Sequence, residues 1–81
     1  MSIERAAMRG KLAEAEQKRD KLKLKIEGFA RHMHWGLNTA LTPPADLEIP
    51  LLDEQWDELK AAWCDLHIVL GEIARLEKEL R

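Results

Sequence analysis

Between Leu52 and Leu80 an apolar residue returns every three or four positions: Leu52, Trp56, Leu59, Trp63, Leu66, Leu70, Ile73 and Leu80, with Glu77 as the one charged residue on the line. That spacing gathers the side chains on one stripe of an α-helix, in the a/d pattern of a coiled coil. A helix with such a stripe gains most of its stability from packing the stripe against something else. The chain therefore has to supply a covering surface, from its own first half, from a second copy, or from both.

The first half offers one. Residues 3 to about 37 are rich in Ala, Leu, Lys, Glu and Arg and contain no proline, which predicts a first helix. Ser2 stands where its hydroxyl would accept from the free amides of the first turn. The apolar line here is Met8, Leu12, Ala15, Leu22, Ile26, Phe29 and Met33, interrupted by Arg19. Gly10 and Gly28 lie inside the run, each at a cost of about 1 kcal/mol relative to Ala unless a close backbone approach uses them. Residues 38 to 50 then break the pattern. Neither Pro43 nor Pro44 offers an amide, and each pushes its predecessor out of the α region. Pro50 suits the first turn of a second helix over about 51 to 80, and Asp53, Glu54, Asp57 and Glu58 are placed to favour the positive end of its dipole.

Two long helices joined by a proline-containing loop predict an all-α, antiparallel two-helix hairpin, one domain spanning residues 1–81. In the matching register Met33 faces Trp56, Phe29 faces Leu59, Ile26 faces Trp63, Leu22 faces Leu66, Ala15 faces Ile73 and Met8 faces Leu80. Arg19 falls opposite Leu70, within reach of Glu72 and Glu77. Charge agrees with this pairing. Residues 1–36 carry nine Lys/Arg and five Asp/Glu, whereas residues 37–81 carry four and ten, so the halves attract. Helix two is nevertheless apolar over more than one seam, since Ala62, Val69 and Leu76 run beside it and Leu24 is a spare apolar residue on helix one. The sequence pattern assigns Leu24, Ala62, Val69 and Leu76 to self-association, with a dimer closing a four-helix bundle.

The chemistry is sparse. Ser2 is the only serine, so no Ser-His-Asp arrangement is available, and no glycine-rich phosphate loop occurs. Paired carboxylates such as Asp53/Asp57 fall on outward faces, where nothing separates their pKa values for acid/base work. His32, His34, Cys64 and His67 are the conceivable zinc ligands. In the hairpin register the two pairs lie some 10–15 Å apart along the axis, too far for one ion. No enzyme, metal or cofactor is expected. Lys18, Lys21, Lys23 and Lys25 form the densest basic run. They mark either phosphate contacts with nucleic acid or the solvated flank of a helix facing an acidic partner. Trp35, Leu41, Leu47 and Ile49 make the loop end the most apolar non-helical part of the chain, which either caps the bundle or anchors a partner protein. The single cysteine, with no apolar leader at the start, fits a reducing cytoplasm. No apolar run is long enough to span a membrane.

Three segments also carry a resemblance. The basic helix with Lys25, Ile26, Glu27 and Gly28, the loop with Thr42, Pro43, Asp46 and Leu47, and the closing run Ile73, Ala74, Arg75, Leu76, Glu77, Lys78, Glu79 and Leu80 together resemble small coiled-coil proteins encoded in Mu-like prophages of bacteria. The resemblance implies a bacterial or phage cytoplasmic setting and a non-enzymatic accessory role, and brings no catalytic residues. The expected function is a self-associating structural or protein-interaction module, with a nucleic-acid-associated accessory protein as the alternative.

Overall fold

A computed structural model describes residues 2–81. Two helices, α1 (Ile3–Gly36) and α2 (Ile49–Leu80), lie antiparallel and are joined by a loop containing a short 3-10 turn, Pro44–Asp46. The hairpin is a rod of 63 × 16 × 14 Å.

The helix ends follow the local chemistry. Ser2 is the extended N-cap of α1, but its backbone oxygen, not its hydroxyl, takes the Ala6 amide at 3.1 Å. At the other end the Leu37 amide donates to the Met33 carbonyl at 3.0 Å and the Asn38 amide to Trp35 at 3.2 Å. Asn38 then turns the chain. Its side-chain oxygen accepts the Ala40 amide at 3.0 Å, and its carbonyl accepts from Leu41 and Thr42, the local bonding that makes asparagine a turn residue. Helix α2 starts two residues earlier than the sequence pattern implies, with Glu48 as N-cap and Pro50 in the first turn. Asp53, Glu54, Asp57 and Glu58 thereby fall beyond the first turn, where the dipole has largely faded. At the terminal end the Arg5 guanidinium donates to the Leu80 carbonyl at 2.7 Å, tying the start of α1 to the negative end of α2.

The seam of α1 is the one its sequence predicts. Met8, Leu12, Ala15, Arg19, Leu22, Ile26, Phe29, Met33 and Gly36 are all buried or half-buried, at alternating steps of four and three. Ala15 packs in a core cluster with Val69 and Ile73, flanked by Leu12 and Leu22, so the expected Ala15–Ile73 pairing holds. Arg19 does not reach Glu72 or Glu77. Its Nε pairs with the carboxylate of the adjacent Asp20 at 3.0 Å.

The seam of α2 is a correction. The residues turned inward are Leu52, Gln55, Leu59, Ala62, Leu66, Val69, Ile73, Leu76 and Leu80. The line through Leu52, Leu59, Leu66, Ile73 and Leu80 is shared with the sequence pattern. Its companion is Gln55, Ala62, Val69 and Leu76 rather than Trp56, Trp63, Leu70 and Glu77. Trp56, Trp63 and Leu70 are 47%, 55% and 39% exposed, so they flank the seam and do not fill it, contrary to the expected facing of Met33 with Trp56 and Ile26 with Trp63. Two physical reasons favour the observed choice. Ala62, Val69 and Leu76 are slim enough to let the helices approach, and the alternative line would press the Glu77 carboxylate against apolar side chains, which costs several kcal/mol without a partner. Gly36 shows how close the approach is: a Cβ there would sit 2.7 Å from Leu52 Cδ2. Of the two readings of Gly10 and Gly28, close approach is the one the structure does not use: a Cβ added at either would meet nothing within 4 Å.

Candidate interaction surfaces

An antiparallel two-helix seam has two flanks, each made of one line of residues from either helix. One flank is polar. Lys11, Glu14 and Lys18 of α1 line a shallow groove with Glu72 of α2. The expected attraction between the basic and acidic halves forms no ion pair across the seam among the described residues, where Arg19–Asp20, Asp57–Lys60 and Arg75–Glu79 each stay within one helix.

The other flank is apolar. On α2 it carries Ile49, Trp56, Trp63 and Leu70 at seven-residue intervals, all exposed, and ends in Glu77. The corresponding line of α1 is Ala30, Lys23, Glu16 and Arg9, continued by Leu37 just past the helix end, and it is apolar toward the loop and charged toward the termini. Leu59 and Leu66, between this flank and the seam, are only partly covered by α1. The Trp63 ring is held by the His67 imidazole one turn on, with centroids 4.3 Å apart at an interplanar angle of 63°. Lys60, between the two tryptophans, is paired with Asp57 at 3.1 Å. The stripe thus consists of aromatic and aliphatic groups that are each roughly half exposed. Isolated exposed apolar residues are common, whereas these four form a continuous stripe along one side of α2.

The residues expected to mediate self-association are redistributed. Ala62, Val69 and Leu76 are 3%, 2% and 1% exposed and lie inside the hairpin, where no second copy reaches them. Leu24 remains exposed, but its place on the outer face of α1 isolates it from the stripe. The exposed line is instead the one through Trp56, Trp63 and Leu70, which periodicity assigns to the core. Glu77, in step with them, is the signal in the sequence that their line stays outside.

No family model, curated protein or solved structure matches this chain. Geometry alone therefore separates the remaining candidates. At the loop end a notch of about 340 Å³ is lined by His32, Trp35, Asp46 and Glu48 among others. Of the four residues expected at a partner site there, Trp35 lines the notch. Leu41 and Leu47 do not, and Ile49 instead heads the tryptophan stripe. Trp35 meets the neighbouring His34 ring edge-on at 6.0 Å. The basic run does not form one face. Lys18, Lys21 and Lys25 share a side of α1, while Lys23 is turned roughly 140° from Lys18 at about 100° per residue. Lys25 lies over the Phe29 ring at 6.0 Å. Among the described residues no three His, Cys, Asp or Glu side chains are grouped to hold a metal, and Cys64 is exposed. No described helix is long and apolar enough to cross a membrane.

Proposed function

We propose that this protein is a non-enzymatic structural module, a helical hairpin that works by packing its tryptophan stripe against another helical surface, first of all a second copy of itself. The observation that carries the reading is the exposed line Ile49, Trp56, Trp63 and Leu70. Area supports it. The chain exposes 6348 Å², whereas a compact monomer of 9.4 kDa exposes about 5,000 Å². The excess, roughly 1,300 Å², exceeds the ~800 Å² that each partner contributes to a standard interface. A thin two-helix rod has no third layer with which to cover that surface, and dimerisation into a four-helix bundle provides one. The proposed setting is the bacterial cytoplasm, in an accessory role of the kind the prophage resemblance implies. The nucleic-acid alternative is less well supported, since Glu14 and Glu72 share the groove of Lys11 and Lys18.

Light scattering over a wide concentration range tests the reading. A dimer mass with high helicity is the expected outcome. A helical monomer at every concentration overturns self-association. Salt-dependent binding of a DNA or RNA duplex by that monomer would favour the alternative.

A further inference from the structure

Resting on the self-association reading, we infer that the second copy lies with its loop at the opposite end, so that α2 packs antiparallel on α2 of its partner about a twofold axis passing between residues 59 and 60. Three layings of one stripe on another are open to a symmetric pair, and charge and bulk separate them.

With both loops at one end and α2 on α2 in register, every residue meets its twin. Asp53 then faces Asp53, Lys60 faces Lys60 and Glu77 faces Glu77, three like-charge meetings on one short interface. With both loops at one end and α2 laid on α1 of the other copy, Trp63, Leu70 and Glu77 run over Lys23, Glu16 and Arg9. The terminal pair is then satisfied, but half of the apolar stripe is pressed onto charged residues.

On α2 the antiparallel laying removes the second fault and reduces the first to a single meeting. Ile49 falls opposite Leu70, and Trp56 falls opposite Trp63, so all four exposed apolar residues meet apolar residues. On the adjoining line Asp53 falls opposite His67, an acceptor facing a ring whose other contact is Trp63. The one like-charge meeting is Lys60 with its twin at the axis, and each of these lysines already has the Asp57 carboxylate at 3.1 Å. The twofold also places the two α1 helices side by side beneath the α2 pair, which completes a four-helix bundle. The half-covered Leu59 and Leu66 then lie in its interior. The charged ends with Glu77 and Arg9 extend past the contact into water, while on α1 Lys23 falls opposite Ala30 and Glu16 falls opposite Leu37 at its edge.

Single-cysteine cross-linking tests this arrangement. In a Cys64→Ser background, Lys60→Cys and Ala74→Cys both place a thiol on the same exposed line of α2. Each is treated with a bis-maleimide of about 10 Å, close to the separation of packed helix axes. Circular dichroism confirms that both variants stay helical, and light scattering gives their mass. In the inferred dimer the residue-60 thiols are adjacent at the axis, whereas the residue-74 thiols are about 40 Å apart at ~1.5 Å per residue. Dimer cross-linking roughly ten-fold or more faster at 60 than at 74 is the expected result, given the millimolar effective concentration of adjacent groups. A dimer that links equally at both positions has the in-register parallel arrangement, and a dimer that links at neither has α2 laid on α1. Either outcome overturns the inference while leaving self-association standing. A helical monomer overturns both, and assigns the stripe to a different protein.

Discussion

Two lines of α2, offset by a single residue in sequence, have opposite fates. Ala62, Val69 and Leu76 are the most deeply buried side chains on the helix, while Trp56, Trp63 and Leu70 are 47%, 55% and 39% exposed. Both lines are apolar and both keep the heptad spacing. Hydrophobicity therefore decides that α2 needs cover, but not which side α1 covers. Bulk and one charge decide that. The slim line permits close packing, and Glu77 keeps its own line outward. The larger apolar residues are left partly uncovered beside the seam, and in the proposed dimer they form a second, associative flank on the same helix.

Truncation should break this comparison most strongly on the buried line. Leu76→Ala removes a side chain that is 1% exposed from a core of few members. We expect a loss of about 2–5 kcal/mol in unfolding free energy. Urea denaturation followed by circular dichroism at fixed protein concentration reads it. A loss below about 1 kcal/mol would mean that the site collapses around the gap, and that the seam is softer than the burial implies.

On the exposed line the same kind of change should act on mass and spare the fold. Trp56→Ala with Trp63→Ala deletes the two largest groups of the stripe and leaves every buried residue unchanged in sequence. Tryptophans at the centre of an interface are worth about 2 kcal/mol or more each, so the dissociation constant should rise at least ~100-fold. Sedimentation equilibrium measures it. Helicity at high concentration should remain close to that of the parent. If helicity collapsed with the mass, α2 would depend on the stripe for folding, and the division into two flanks would fail.

The same contrast separates what is legible in the sequence from what is not. Both helices, the proline-bounded loop and the whole seam of α1 follow from periodicity, because α1 has one apolar line pair and Arg19 is its only serious interruption. The seam of α2 is half legible. Leu52, Leu59, Leu66, Ile73 and Leu80 belong to it under either choice, but the helix carries three apolar lines and periodicity ranks them by size. Tryptophan takes the highest rank and so is expected inside. Only the steric fit against α1 reverses that order, and fit is a property of two surfaces together. The charge pattern is legible as attraction between halves, yet the ion pairs form within helices, since an exposed neighbour such as Asp20 is nearer to Arg19 than any acidic residue across the seam.

Glycines give the finest test of where α1 and α2 are close. Gly71 lies on the exposed outer face of α2, with nothing within 4 Å of an added Cβ, whereas a Cβ at Gly36 would meet Leu52 Cδ2 at 2.7 Å. Both residues are helical, so alanine lowers the backbone entropy cost in each case by about 0.5–1 kcal/mol. At Gly71 that gain should appear in full, as a stabilisation of about 0.5–1 kcal/mol. At Gly36 it must be set against the displacement of Leu52, itself 7% exposed and fixed between the loop and the seam. Overpacking of a filled site costs about 1–3 kcal/mol, so Gly36→Ala should be neutral to destabilising. Thermal melts of the two variants at equal concentration give the comparison directly. Equal stabilisation would show that Leu52 turns aside freely, and that the close approach at the loop end does not anchor the register. Opposite signs would identify the Gly36–Leu52 contact as the point from which the observed seam, and with it the exposure of the tryptophan line, is set.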